Sequence, residues 1–262
     1  MKNRIWAIIH KDIREILSRP KIWLPMILVP FILTVVQPLA FFLNVSDKKP
    51  MDSDFAGLAR TLATQYVFQS EVQKQLVILI DYFFPVFFLM IPLLISSIIA
   101  ANSFAGEKER KTLETLLYSP LSLKELFFAK ILGTFIPAYF VTCISFLGFC
   151  GIVRYFAASY LVLAGFPNTR WLVLIGILCP ALVILALTFT IWISAKCSTY
   201  QEAQQMGGLT VIPIVGLMMA QISGMFIMEI PQMLGLATIV AILDYILISL
   251  AARMFSYEEL LR

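Results

Sequence analysis

The sequence predicts an all-α polytopic membrane protein with six transmembrane helices. Three observations carry that prediction. First, 60% of the 262 residues are hydrophobic and only 14% are charged, where a soluble domain carries about 25% charged residues. Second, a mean hydropathy of +0.88 is more than a core of this size can hide, and the excess would lie in patches far larger than soluble monomers tolerate. Third, six apolar runs, at about 22–43, 76–101, 126–153, 171–195, 207–228 and 232–252, each reach the ~20 residues needed to cross a bilayer. Residues 21–262 therefore read as one six-span domain behind an N-terminal segment, 1–20. The apolar piece at 155–167 is too short to cross and reads as re-entrant or interfacial.

The same composition excludes several kinds of chemistry. One histidine, His10, removes hydrolase schemes that need two imidazoles on a metal. Cys143, Cys150, Cys179 and Cys197 have no CxxC spacing, and three of them lie inside apolar runs; they read as packing residues, with no disulfide framework. No phosphate-binding Gly-x-x-x-x-Gly-Lys-Ser/Thr loop occurs, so the chain is expected to bind no nucleotide or other cofactor of its own. A net charge of +4 is too small to imply a nucleic-acid partner. The first long apolar run begins near Ile22 and continues past any small-residue cleavage pattern, so the N-terminus is expected to be retained.

Before the first span, Ile5, Ile9, Ile13 and Ile16 recur on one helical face, joined by Trp6 and Leu17, with basic side chains opposite. This amphipathic helix is expected to lie along the membrane surface, with Trp6 at headgroup depth, and to end at Pro20. It serves as an anchor in the lipid or as a contact for a partner. Of the 20 lysines and arginines, fourteen fall on the side of the N-terminus and six on the other, which places both termini in the cytoplasm; the plasma membrane is the expected location. On the outer side, 44–75 is the longest polar insertion; Phe55, Leu58, Leu62 and Tyr66 mark a small helix resting on the spans.

The loop at 104–122 is unlike an ordinary topogenic loop. Gly106 reads as a helix start, with Glu107 and Glu109 in the first turn where the helix dipole favours anions. Leu113, Leu116 and Leu117 form a short apolar face, and Ser119-Pro120 stops it. Ser122-x-x-Glu125 is a capping box for the next helix, flanked by a Leu121 to Leu126 staple. Residue pattern alone allows either a solvated positive-inside loop or a compact helix that takes force from a soluble partner.

The stretch GEKERKTLETLLYSPLSLKELFFAKIL resembles the hallmark loop of the ABC type-2 permease family, in which G-E-x-E-x-x-T-L-E-x-L-L-x-x-P-[LV]-S precedes a lysine-bearing helix. The match runs through Gly106, Glu107, Glu109, Thr112, Leu113, Glu114, Leu116, Leu117, Pro120, Ser122 and Lys130. The resemblance implies a coupling helix that docks on a separate ATPase subunit, a role carried onto Glu107, Glu109, Arg110 and Glu114, and with less weight onto Lys108 and Lys111. It further implies an exporter built from two such permeases, identical or paralogous, with ATP and Mg held by the ATPase partner. Lys111 stands where many relatives have glycine, a change expected to leave the helix undisturbed.

Asp244 lies midway along the sixth span, where an aspartate costs roughly 2.5–3.5 kcal/mol to insert. It reads either as part of a transport path or as a hydrogen-bonded structural group, with Tyr245, Ser249 or a neighbouring span as partner. Use of Asp244 by a stand-alone channel or secondary transporter is the alternative to the ABC reading. Asp81 and Glu229 read as solvated charges at span ends, and Lys130 as close enough to the surface to snorkel. Pro25, Pro30, Pro38, Pro85, Pro92, Pro180 and Pro213 are expected to bend their helices. The methionines around span five have no cysteine pair or histidine beside them and read as adaptable packing. The short inner loop at 196–205 carries Thr199-x-x-Glu202, a capping box for span five; it is a helix cap or a second, smaller contact with the ATPase.

Overall fold

A computed structural model describes residues 2–44, 55–63, 70–111, 123–157 and 166–254. Every regular element among them is helical, and six helices are long and apolar enough to cross a membrane: Ile22–Leu43, Glu71–Glu109, Phe128–Phe156, Thr169–Ser194, Tyr200–Ile222 and Ile230–Leu250. These are spans one to six below.

Span two is the central helix. Within its most apolar stretch 83% is buried, against 22–44% for the other five. It is also far longer than the apolar run that marks it. Ser70 caps its start by accepting from the Gln73 amide at 3.1 Å, and it continues through polar Asn102 and Gly106 to Glu109. At 39 residues it measures about 58 Å, well beyond the ~30 Å of hydrocarbon. Span five differs in the opposite sense. Thr199 accepts from the Glu202 amide at 3.2 Å, so the helix begins at Tyr200, seven residues before the apolar run. It ends at Ile222 because Gly224 adopts φ +78, a left-handed stop.

Three of the prolines sit just behind widened turns. Pro38, Pro85 and Pro180 follow the π turns Ile32–Val36, Ile78–Phe83 and Leu174–Leu178. Proline lacks an N–H and its ring pushes away the carbonyl four residues earlier; those carbonyls belong to Thr34, Asp81 and Gly176, each inside its π turn. A fourth π turn, Asn102–Gly106, has no proline behind it.

The N-terminal helix, Lys2–Ser18, buries Ile9, Asp12 and Ile16 and leaves Trp6 and Leu17 exposed. It packs on span three, where Gly133 admits the Ile9 backbone and the Asp12 carboxylate. Its inward face is thus not purely apolar. The insertion helix, Ala56–Ala63, buries Leu58 and Leu62 against Ile78 and Tyr82 of span two, as expected; Tyr66 lies outside the described residues.

At the end of the bundle remote from the N-terminal helix, Trp171 stacks among Phe88, Phe146, Phe149 and Phe166, with centroids 4.9–5.9 Å away. Its indole N–H donates to the Ile80 carbonyl at 3.1 Å. Asp81 is not a solvated end charge, whereas Glu229 lies partly exposed in the turn before span six, as expected. Asp81 accepts from Asn168 at 2.6 Å, and Glu229 accepts from Arg170 at 3.2 Å. Asn168 is held in place because its Oδ1 also caps span four, accepting from the Trp171 amide.

Candidate functional site

The last turn of span two gathers the polar chemistry at the N-terminal-helix end. Glu107, Lys108, Glu109 and Arg110 are consecutive, so their side chains leave the helix about 100° apart and reach four different neighbours. Gly106 does not start this helix. It lies inside span two with helical φ and ψ, and its carbonyl accepts from the Arg110 amide at 3.2 Å. Glu107 and Glu109 therefore occupy a last turn, where the dipole disfavours anions, and each is held by a specific donor.

Glu107 points inward and is 1% exposed. One carboxylate oxygen accepts from Lys11 of the N-terminal helix at 2.5 Å, and the other pairs with Lys130 of span three. Lys130 is itself 0% exposed and does not snorkel. Its ammonium also donates to the Ser103 carbonyl at 2.5 Å and lies 4.8 Å from the Phe104 ring centroid. With two acceptors and a ring face inside the bundle, the ammonium has no need of the surface. Ser103 offers its carbonyl from within the proline-free π turn, a distortion that frequently marks functional positions.

Arg110 reaches back along the same side. It pairs with Glu15 of the N-terminal helix and donates to Asn102 Oδ1 at 2.5 Å. Lys108 donates to the Ala195 carbonyl at the C-terminus of span four, 3.2 Å away. Glu109 accepts from the Tyr200 amide, the first helical residue of span five, at 2.8 Å. Each charge suits its place: a cation on orphan carbonyls at a helix C-terminus, an anion on an orphan amide at an N-terminus. Four residues thus tie span two to the N-terminal helix and to spans three, four and five.

The charges on the N-terminal helix respond to this setting. Burial pulls the Lys11 ammonium down, but the Glu107 hydrogen bond and the Glu107, Asp12 and Glu15 charges outweigh it and leave it raised. Burial pushes Glu15 up, yet the Arg110 hydrogen bond with the Lys11, Arg110 and Arg19 charges holds it below the usual carboxylate range. For Asp12 burial wins over Lys130 and Lys11, and its carboxyl is raised. Asp12 Oδ2 is buried without a hydrogen-bond partner, as is the Ser103 hydroxyl. Both residues line a cavity of about 10 Å³ with Asn102 and Thr134.

Asp12, Glu15 and Glu107 bring carboxylate oxygens within 4.8 Å of one another, the one grouping among the described residues with the spacing of a cation site. Lys11, Lys130 and Arg110 already set three positive charges against these three negative ones. The cluster reads as an internal charge network, not a metal centre.

A family model described as ABC-2 family transporter protein matches residues 6–257. The chain belongs to the ABC-2 transporter family. It is a multi-pass membrane component of an ABC transporter, a transport subunit. No curated protein and no solved structure matches it significantly.

In this ABC-2 permease the residues expected to couple to an ATPase divide. Glu107 faces the bundle interior, Glu109 and Arg110 hold span five and the N-terminal helix, and Glu114 lies outside the described residues. So do the Leu113, Leu116 and Leu117 face, the Ser119-Pro120 stop and Ser122 of the capping box. Lys111 is not within a helix; it adopts φ 58 and ends span two. That conformation is natural to glycine and strained for lysine, so the departure from the family pattern has a local cost. Asp244 is 6% exposed on the face of span six that also buries Met233, Ala237 and Val240. Its Oδ1 has no hydrogen-bond partner, and Tyr245 is 77% exposed. Sequence reasoning missed Lys11, Asp12 and Glu15 as parts of the site. The available signal was Asp12 interrupting the apolar stripe of the N-terminal helix.

Proposed function

We propose that this permease forms half of the transmembrane pathway of an ABC exporter and couples ATP hydrolysis by a separate subunit to movement of its spans. Two permease subunits, identical or paralogous, pair with two ATPase subunits that hold ATP and Mg. Both termini and the Glu107 to Lys111 turn face the cytoplasm of a plasma membrane, and the loop after Lys111, with Glu114, docks on the ATPase.

One observation carries the reading. The turn from which that loop leaves is tied by four consecutive side chains to the N-terminal helix and to spans three, four and five. A push on the loop therefore cannot move span two alone. Glu107 and Lys130 bear the load inside; Glu109 and Arg110 pass it sideways. An apolar bundle slides easily in lipid, where hydrophobic attraction between helices is absent, so polar ties of this kind are what make such a push act on several spans.

The test is to co-express the permease with ATP-binding subunits of the same genome, purify through the permease, and measure ATP hydrolysis and vesicle transport. Copurification is expected, with Glu109→Ala and Arg110→Ala leaving ATP hydrolysis in place but abolishing transport. Transport by the purified permease alone would overturn the reading. It would favour a stand-alone channel or secondary transporter, which draws on the unpartnered carboxylate oxygen of Asp244.

A further inference from the structure

We propose that the cavity between the N-terminal helix and the π turn Asn102–Gly106 is a binding site for one water molecule, which bridges Asp12 Oδ2 and the Ser103 hydroxyl. Six side-chain atoms among the described residues are buried without a hydrogen-bond partner. Two of the six, Asp12 Oδ2 and Ser103 Oγ, belong to residues that line this same cavity of about 10 Å³. That volume is close to one water-sized sphere, and a buried water settles where about two to four polar groups converge.

Each orphan has a local cause. Buried hydroxyls elsewhere in the bundle donate to the carbonyl four residues back, as Ser97, Thr134, Thr142 and Ser194 do. Ser103 makes no such bond. It sits in the widened turn, which hands its carbonyl to the Lys130 ammonium and leaves its hydroxyl to the cavity. Asp12 turns Oδ1 toward Lys11 at 3.4 Å. Its Oδ2 lies against span three, where a Cβ on Gly133 would stand 3.2 Å away; a helical glycine gives the oxygen room but no spare N–H.

One water satisfies these groups together. An ionised carboxylate only accepts, and a hydroxyl both donates and accepts. Thr134, also on the cavity wall, gives its proton to the Lys130 carbonyl at 2.8 Å and keeps lone pairs for another donor. The water donates to Asp12 Oδ2 and Thr134 Oγ1 and accepts from Ser103, so it joins the N-terminal helix, span three and span two. A metal ion suits the place less. It calls for about six oxygens, whereas Glu15 and Asn102 already hold Arg110, and the Lys11 and Lys130 charges already act on Asp12.

Synchrotron radiolysis splits water where it is bound and oxidises the side chains beside it. Applied to the full permease in lipid nanodiscs and read by mass spectrometry, it is expected to oxidise Ile99, which lines the cavity at 0% exposure, and to spare Ile91 and Ile95, which are equally buried. Ser103→Val, which fills the cavity with methyl groups, should abolish the Ile99 label and leave that of exposed Trp6 unchanged. Equal labelling of Ile99 and Ile91 in the unaltered chain overturns the site without need of a variant, and so does an Ile99 label that survives Ser103→Val. Thermal unfolding in sodium, potassium or choline chloride at one ionic strength is expected to give the same midpoint. A higher midpoint in sodium or potassium would put an ion in the cavity and overturn the water.

Discussion

Glu107 and Lys130 show what a buried charge demands. Each ion carries a desolvation penalty of several kcal/mol, which only the partner and additional hydrogen bonds offset; here Lys11 and the Ser103 carbonyl complete the set. Lys130→Met or Glu107→Gln is expected to destabilise the purified permease by about 3–5 kcal/mol, because each leaves the other charge bare. The paired change Lys130→Met with Glu107→Leu should recover most of that loss. Thermal unfolding in detergent measures it, and a double variant as weak as the two single losses combined would show that the pair is not the unit.

Glu15 and Asp12 make opposite predictions for acid. Glu15 is held below its unfolded value, so its contribution is fully present above the ordinary carboxylate range and is lost as pH falls through the depressed value. Asp12 is raised, so its contribution is present at low pH and lost as pH rises through the raised value. In acid the two partly cancel. Glu15→Gln should flatten the acid loss of thermal stability, and Asp12→Asn should steepen it; the reverse order would contradict the geometry described.

Elements in this permease are shaped by what ends or widens them. Span two persists past its apolar run because Ser70 caps it and the bundle holds Glu107, and it stops only where Lys111 turns left-handed. Lys111→Gly is expected to raise stability by about 1 kcal/mol by relieving that strain. Lys111→Val should lower it, since a β-branched residue is still less tolerant of positive φ. Equal melting temperatures for the two variants would deny the strained turn. Span five likewise gains its first turn from Thr199 and loses its last to Gly224, both capping effects that hydropathy does not register.

For the whole molecule, span two is the most buried helix and packs against spans one, three, four and five, while span six packs on span four. One end is clamped by Trp171 and its phenylalanine neighbours, and the other by the Glu107 to Arg110 turn. Asp244 stands apart from both clamps, with an unpartnered oxygen on a buried face. We propose that a residue so costly to insert and so poorly satisfied serves the transport path. Asp244→Leu should therefore stabilise the permease in thermal unfolding while reducing transport; unchanged transport would remove it from the pathway.

The sequence by itself determined the helical class, the number of spans, the insertion helix and the Thr199 and Glu202 cap. Apolar length and short-range capping are local properties, written within about one turn to one span of chain. Only the tertiary structure decided the roles of the charges. Glu107 meets Lys11 across 96 residues and Lys130 across 23, and Glu109 meets Tyr200 across 91. No periodicity records such separations. Read locally, Glu107 is a helix-start anion and Lys130 a snorkelling cation. Packed together, they neutralise each other where neither could be buried alone.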